Sequence, residues 1–212
     1  MNSLIITGGM FDESFACDFY NSRQFDYVIG VDRGIEYARQ IGVKPDYIIG
    51  DFDSFQGELD ASIPVERYPS QKDLTDTHLA ILKAIELGSD EIIMLCGCGG
   101  RLDHFMANVS MLALCCEHGV HGCMVDPWNR IHMISSELTI EKDNQYGTYV
   151  SLVAFTDRVK GITVKGFKYP LQDGELTNLV SLGISNELVA EKGTIAISEG
   201  LLLVIESKDV IE

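Results

Sequence analysis

The sequence predicts two domains of different class, an N-terminal α/β domain with a parallel sheet and a C-terminal all-β domain. Through residues 1–128, short apolar runs alternate with stretches of helical spacing, which is typical of buried parallel strands covered by helices. From Arg130 onward, the apolar runs are rich in β-branched residues and are separated by glycines. We therefore expect a Rossmann-like α/β domain over residues 1–128 and a β-sandwich over residues 129–212.

The composition is that of an acidic globular protein. Of the 212 residues, 46% are hydrophobic, which is enough for a buried core. The chain has 32 acidic and 16 basic residues, and its formal net charge of -16 argues against a nucleic acid or an anionic membrane as partner. A phosphate ligand would have to bring its own cations, which agrees with a nucleotide that carries Mg²⁺.

The cysteines and the first residues indicate the cellular compartment of the protein. The six cysteines contain no C-x-x-C pair, so we interpret them as reduced core residues. The first apolar run is too short and too uncharged for a signal peptide, and no run approaches the ~18 residues of a membrane span. These features predict a cytoplasmic protein.

The first two predicted strands lead into possible ligand-binding turns. Residues 4–6 precede a Gly8-Gly9 turn, which lacks the third glycine of a dinucleotide fingerprint and the Gly-Lys-Ser/Thr of a phosphate-binding loop. Residues 27–31 form the second run, and Asp32 follows it. Since parallel strands present their carboxyl ends at one edge of a sheet, Asp32 should lie at the ligand edge, with a helix cap as the alternative.

The third run carries a pair of carboxylates. Residues 45–54 read P-D-Y-I-I-G-D-F-D-S, a short apolar strand followed by glycine, Asp51 and Asp53. If the chain stays extended, both side chains point to the same side, because side chains alternate along a strand. Two adjacent carboxylates attract Mg²⁺. The alternative is that these residues only form a turn and a helix cap.

A second acidic cluster lies at the start of a predicted helix. Thr75 or Asp73 can cap a helix that runs to Gly88, which leaves Asp73 and Asp76 close together at its first turn. Capping explains one of these acids but not both, and together they would attract a shared cation. Lys72 lies beside them and could contact a phosphate.

A possible anion site follows the next strand. Residues 91–95 lead into G-C-G-G-R-L-D-H, which opens a long helix that ends near Glu117. Gly99 and Gly100 permit close approach of the backbone, and Arg101 lies where main-chain N–H groups and a guanidinium can hold a phosphate together. A structural role for His104 and an N-cap role for Asp103 stay open at this point.

Four of these segments, taken together, resemble the thiamine pyrophosphokinase family, bacterial type. They are G-D-F-D-S at 50–54, K-D-L-T-D at 72–76, G-G-R-L-D-H at 99–104 and G-I-S-N at 183–186. The resemblance spans essentially the whole chain. It implies a nucleotide-binding catalytic domain over residues 1–128 and a thiamine-binding β-sandwich over residues 129–212. It also implies a homodimer with thiamine bound between subunits, and transfer of pyrophosphate from ATP to the thiamine hydroxyl with release of AMP.

The resemblance and the residue chemistry together give a set of candidate site residues. The catalytic candidates are Asp51, Asp53, Asp73 and Asp76, of which the first three are expected to hold Mg²⁺. The nucleotide-binding candidates are Asp32, Ser54, Lys72, Thr75, Gly100, Arg101, Asp103 and His104. The thiamine candidates are Tyr169, Ser185 and Asn186; in isolation the last two would be interpreted as a turn.

The sequence departs from the family pattern at two places. Arg33 follows Asp32 where the family commonly has glycine, and Tyr169 stands where eukaryotic members have tryptophan. Tyrosine keeps an aromatic face with a smaller stacking area.

Two other functions remain as alternatives. The D-F-D-S segment approximates the loop of a Mg²⁺-dependent aspartyl-phosphate phosphatase, although that loop normally follows the first strand of its domain and this one follows the third. A non-catalytic module that binds a nucleotide or thiamine would use the same acidic pocket.

Overall fold

The computed structural model describes residues 1–51, 61–67 and 73–209. The chain divides into two compact units, Met1–Pro127 and Trp128–Glu212. Within the described ranges, no helix is long and apolar enough to cross a membrane.

The described residues of the first unit form a parallel sheet and four helices. Its strands are β1 Asn2–Ile6, β2 Tyr27–Val31, β3 Tyr47–Gly50, β4 Val65–Arg67, β5 Glu91–Leu95 and β6 His121–Val125, and its helices are α1 Glu13–Asn21, α2 Gly34–Gln40, α3 Asp76–Glu86 and α4 Leu102–Glu117. The strand order is β4-β3-β2-β1-β5-β6, and every neighbouring pair is parallel. The central strands are buried, as expected where helices cover a parallel sheet.

The order of the strands defines a ligand-binding edge. The chain builds the sheet outward from β1 through β2 and β3 to β4, and then returns to the other side of β1 to form β5 and β6. The direction of winding therefore reverses between β1 and β5. In open parallel sheets, ligands bind outside the carboxyl ends of the strands at such a reversal.

The second unit is a β-sandwich. Its strands are β7 Asn129–Ile134, β8 Glu137–Glu141, β9 Tyr149–Ala154, β10 Arg158–Lys165, β11 Leu171–Thr177, β12 Lys192–Ala196 and β13 Leu202–Ser207. Strand β13 pairs antiparallel with β7 and β9, and the other four strands pair in the order β11-β10-β12-β8. Apolar side chains from both layers, such as Val204 and Ile162, share one buried core. The predicted fold class, an α/β part followed by a β-sandwich, is confirmed.

Three of the strands that the sequence did not predict lie at the edge of their sheet within their unit. These strands are β4, β8 and β11. An edge strand needs fewer apolar residues because part of its surface faces water, and in β11 the only large apolar residues are Leu171 and Leu176. The hydrophobic signal of a central strand is therefore absent from these segments.

A buried ion-pair network reinforces the sandwich. The Glu206 side chain is 0% exposed. Its carboxylate accepts hydrogen bonds from Arg130 Nε at 2.6 Å and from the backbone N–H of Tyr146 at 2.8 Å. His132 Nε2 lies 3.2 Å from the same carboxylate. Burial alone would raise the pKa of Glu206, but hydrogen bonds from His132 and Arg130 outweigh burial and hold this pKa below its usual value.

Candidate active site

Asp32 and Asp51 lie at the carboxyl edge of the sheet, directly after β2 and β3. The two strand ends are neighbours, since Val31 pairs with Ile49 and the backbone N–H of Asp32 donates to the Ile49 carbonyl at 3.2 Å. Asp32 has a left-handed backbone with φ of 48°, and its Oδ1 is buried against Gly50. A side chain at position 50 would clash with that oxygen, so glycine permits the close approach.

The helix-cap alternative for Asp32 is wrong. The residue before α2 is Arg33, and α2 has no side-chain cap. Asp32 therefore lies one residue before the N-cap position of α2. Its position at the strand end agrees with the predicted ligand edge.

The second acidic cluster is only partly described. Thr75 caps α3 by accepting a hydrogen bond from the backbone N–H of His78 at 3.2 Å, which settles the choice between Thr75 and Asp73 as the cap. Asp76 is then in the first turn of α3, and Asp73 is exposed just before the cap. Asp53, Ser54 and Lys72 lie outside the described residues.

Arg101 and Asp103 form an exposed ion pair at the start of α4. Arg101 Nε donates to Asp103 Oδ1 at 3.1 Å and Arg101 Nη2 donates to Oδ2 at 2.6 Å. The hydrogen bond from Arg101 is the main cause that lowers the pKa of Asp103 to about 2. Because both side chains are open to water, the guanidinium can exchange this carboxylate for a phosphate.

The N-cap alternative for Asp103 is wrong. The helix begins at Leu102 after Arg101, and Asp103 belongs to its first turn, where its carboxylate accepts from the backbone N–H of His104 at 2.9 Å. The His104 side chain is exposed at the same helix start.

The loop between β5 and α4 has the backbone geometry of an anion cradle. Gly99 and Gly100 have positive φ angles of 75° and 67°, which residues with a side chain rarely adopt. Within the described residues, no hydrogen bond engages the backbone N–H groups of Gly99, Gly100 or Arg101. These donors at the start of a helix are available to a phosphate.

The β5–α4 loop lies against the turn after β1, at the point where the sheet reverses direction. The backbone N–H of Gly9 donates to the Cys96 carbonyl at 2.9 Å, and that of Met10 donates to the Cys98 carbonyl at 3.0 Å. A side chain at position 9 would clash with the Cys96 carbonyl, so the predicted glycine turn serves this close approach. The two loops thus form one wall of the ligand edge.

The described residues do not form a complete metal site. Among residues 1–51, 61–67 and 73–209, no group of three His, Cys, Asp or Glu side chains is arranged to hold a metal ion. Of the three predicted ligands, Asp51 and Asp73 lie within these ranges and Asp53 lies outside them. The donor chemistry nevertheless fits Mg²⁺, because carboxylates are the protein ligands that this ion prefers.

The second unit brings Tyr169 and Asn186 together. Asn186 is 8% exposed, and its side-chain amide bonds to both backbone groups of Tyr169. Tyr169 is 62% exposed, and Lys168 Nζ lies 5.7 Å from the centre of its ring. Ser185 has a left-handed backbone with φ of 59°, and its N–H donates to the Ser151 hydroxyl at 3.0 Å. Asn186 thus orients the Tyr169 segment through its backbone.

One carboxylate at this edge was missed by the sequence reasoning. Asp126 follows β6 directly and is 8% exposed. Burial is the main cause that raises the pKa of the nearby Cys98 thiol, and the charge and hydrogen bonding of Asp126 raise it further. The available signal was the one used for Asp32, a carboxylate immediately after an apolar strand.

A parallel sheet with carboxylates and a Gly-Gly-Arg helix start at its ligand edge defines an α/β enzyme of the phosphate-transferring class. Family models make the assignment specific. "Thiamin pyrophosphokinase, catalytic domain" matches residues 21–124, and "Thiamin pyrophosphokinase, vitamin B1 binding domain" matches residues 135–202.

Individual relatives agree with the family models. The chain is 35% identical over 187 residues to a thiamine pyrophosphokinase of Bacillus subtilis (strain 168), covering 85% of this chain and 87% of the relative. A crystal structure of thiamine pyrophosphokinase from Bacillus subtilis has a TM-score of 0.88 and 30% identity, covering 99% of this chain and 100% of the other. One from Geobacillus thermodenitrificans has a TM-score of 0.83 and 32% identity, with 99% and 98% covered. The chain belongs to the thiamine pyrophosphokinase family.

Proposed function

We propose that this protein transfers the pyrophosphoryl group of ATP to the hydroxyl of thiamine, giving thiamine diphosphate and AMP. The observation that carries the proposal is the pair of family matches, a catalytic domain followed by a vitamin B1 binding domain, over a fold that aligns along 99% of the chain. Neither the phosphatase nor the non-catalytic alternative accounts for both matches.

The reaction needs one bond to form and one to break. The thiamine hydroxyl oxygen forms a bond to the β-phosphorus of ATP, and the bond from that phosphorus to the oxygen bridging to the α-phosphate breaks. AMP leaves with the bonding electrons, and the hydroxyl proton passes to Asp73, Asp76 or water. A loose phosphoryl-transfer transition state needs little help from a base, so positioning and charge neutralisation are the main tasks of the protein.

Charge neutralisation is assigned to the carboxyl edge of the sheet. With a net charge of -16 and carboxylates after β2 and β3, the protein repels a bare triphosphate, so a divalent cation has to accompany it. Asp51, Asp53 and Asp73 are the proposed ligands of Mg²⁺, which when bound neutralises phosphate charge. Lys72 and Arg101 are proposed to hold phosphate oxygens directly.

The remaining nucleotide contacts are proposed around the same edge. The loop N–H groups at Gly100 and Arg101 and the first turn of α4 face this edge with positive partial charge. The further candidates are Asp32, Ser54, Thr75, Asp103 and His104. The Thr75 oxygen accepts the helix-capping bond, which leaves its hydroxyl hydrogen available to a ligand.

Thiamine recognition is assigned to the second unit. Thiamine is flat, cationic and partly apolar, so an exposed aromatic face beside polar groups suits it. The Tyr169 ring supplies this face, the exposed Ser185 supplies a hydroxyl, and Asn186 orients the Tyr169 segment. Lys168, which lies over the same ring, is held by an ion pair with Glu187 at 2.6 Å.

A homodimer with a shared thiamine site completes the proposal. Several large apolar side chains of the second unit are exposed, including Leu179 at 90%, Leu182 at 68% and Val189 at 65%. Exposed large apolar side chains within one short segment of the chain support an interface with a second copy of the chain. A cytoplasmic location stays a prediction of the sequence.

A turnover assay tests the proposed reaction. Purified protein is incubated with ATP, Mg²⁺ and thiamine, and AMP is measured. We expect AMP to form only when thiamine is present. Release of inorganic phosphate without thiamine would instead support the phosphatase, and no turnover would support the binding module.

A further inference from the structure

Two buried side chains from separate parts of the first unit bond to the loop at residues 96–101, which we call the phosphate loop. Thr7, just after β1, is 3% exposed, and its hydroxyl donates to the Cys96 carbonyl at 2.5 Å. Asn108, in the second turn of α4, is 8% exposed, and its Nδ2 donates to the Gly97 carbonyl at 2.9 Å. Two side chains therefore fix two consecutive peptide groups.

These peptide groups need support because the backbone is strained there. Cys96 has a positive φ of 59°, a left-handed conformation that is unfavourable for a residue with a side chain. The carbonyl of Cys96 also accepts the N–H of Gly9, so Thr7 adds a second donor to it. The loop leaves β5 through Cys96, so its course toward Gly99 depends on this conformation.

The bonds also set the direction of the loop N–H groups. In a trans peptide the C=O and N–H of one unit point in opposite directions. Holding the carbonyls of Cys96 and Gly97 toward Thr7 and Asn108 therefore turns the N–H groups of Gly97 and Cys98 away from these side chains. The two peptide groups that carry these N–H groups precede Gly99 and Gly100, and they are therefore held in a single orientation.

We propose that Thr7 and Asn108 are positioning residues for the nucleotide. They hold the phosphate loop in the conformation that binds the phosphates of a nucleoside triphosphate, and they act through the loop backbone without touching the substrate. Neither residue belongs to the candidate set from the sequence. The inference rests on the proposed nucleotide role of this loop.

Thr7→Val is the main test, because valine keeps the shape of threonine and removes only the hydroxyl. We expect the Michaelis constant for Mg-ATP to rise at least about fivefold, as loss of one hydrogen bond predicts, with that for thiamine unchanged within about twofold. Thr7→Ser keeps the hydroxyl and should retain the wild-type constant for ATP. Asn108→Ala is the second variant, and it should likewise raise the Michaelis constant for Mg-ATP and leave that for thiamine unchanged.

Ser3→Ala is the matched control. Ser3 lies on β1 at the opposite end from Thr7, is 0% exposed, and its hydroxyl bonds to that of Ser89 at 2.6 Å. Loss of the Ser3 hydroxyl should lower the melting temperature and leave both Michaelis constants unchanged. If folded Thr7→Val and Asn108→Ala behave like Ser3→Ala, or raise both constants equally, the residues are only structural and the inference is overturned.

Arg101→Ala, measured in parallel, separates this inference from the proposed function. If Arg101→Ala raises the Michaelis constant for Mg-ATP and Thr7→Val does not, only the positioning role is wrong. If neither variant affects ATP, the nucleotide role of the phosphate loop is wrong, and the positioning role falls with it.

Discussion

The side-chain amide of Asn186 binds both backbone groups of Tyr169. Its Oδ1 accepts the Tyr169 N–H at 3.0 Å, and its Nδ2 donates to the Tyr169 carbonyl at 2.8 Å. The same Oδ1 accepts the N–H of Glu187 at 2.9 Å. Tyr169, the aromatic candidate of the thiamine site, is therefore carried by a backbone segment that a buried amide holds in place.

Asn186→Ala should weaken thiamine binding indirectly. Without the amide, the Tyr169 segment loses its two bonds, and we expect the Michaelis constant for thiamine to rise about 10-fold with that for ATP nearly unchanged. Steady-state kinetics with each substrate varied in turn measures the two Michaelis constants. Asn178→Ala is the control, since Asn178 is an exposed asparagine of the same unit. Equal behaviour of the two variants would contradict the role assigned to Asn186.

Asp51→Asn should nearly abolish turnover while the fold stays intact. The substitution removes one charge from the proposed cation site, and loss of one such electrostatic element costs on the order of 10²–10³ in rate. Asp46→Asn is the matched control at the other end of β3, where Asp46 accepts the backbone N–H of Val28 at 2.8 Å. An Asp51→Asn enzyme that keeps most of its activity at saturating Mg²⁺ would remove Asp51 from the site.

Arg101→Ala should change both the nucleotide affinity and the titration of Asp103. The hydrogen bond from Arg101 is the main cause that holds the pKa of Asp103 at about 2, so without it this pKa should rise toward about 3.9. Carboxyl titration by NMR measures the shift. Arg23→Ala, at an exposed arginine over Phe19, should leave Asp103 unchanged. An unshifted Asp103 in Arg101→Ala would show that the pair does not form in solution.

Glu206→Gln should destabilise the protein at neutral pH, since it breaks a buried ion-pair network. Loss of one partner from such a network costs about 3–5 kcal/mol of unfolding free energy, measured by urea denaturation. Because the folded state lowers the pKa of Glu206, its contribution is complete above the ordinary value of 4.5 and is lost as pH falls through the folded pKa. The difference from wild type should therefore shrink in acid.

An exposed pair provides the control for Glu206. Glu199 Oε2 lies 2.8 Å from Lys160 Nζ, and both side chains are open to water. Glu199→Gln should therefore change the free energy of unfolding by less than about 1 kcal/mol. Similar losses for both substitutions at pH 7 would contradict the assignment of Glu206 as a buried anchor.

Mixed dimers test the shared thiamine site. Tyr169→Ala and Asp51→Asn should each be weakly active alone, because each dimer lacks one part of both sites. Mixing the two under conditions of subunit exchange should restore some activity by forming one intact site in each hybrid. A protein that is monomeric and fully active, or hybrids without recovered activity, would rule out sharing.

The sequence predicted what depends on local pattern. The strand at Tyr47–Gly50 and the start of α4 just after Arg101 follow from apolar runs and from glycine placement. What it could not predict are contacts between residues far apart in the chain. Thr7 and Cys96 are separated by 89 positions, and the Asn186 bond to Tyr169 spans 17 positions, with no periodic signal for either.

The position of an isotopic label in the product tests the central claim most directly. ATP labelled at the β-phosphate is supplied with Mg²⁺ and thiamine, and the products are separated. The proposed reaction predicts that the β label appears in thiamine diphosphate in amounts equal to the AMP formed. Label retained in ADP, with thiamine monophosphate as the product, or label lost to inorganic phosphate independently of thiamine, would contradict pyrophosphoryl transfer.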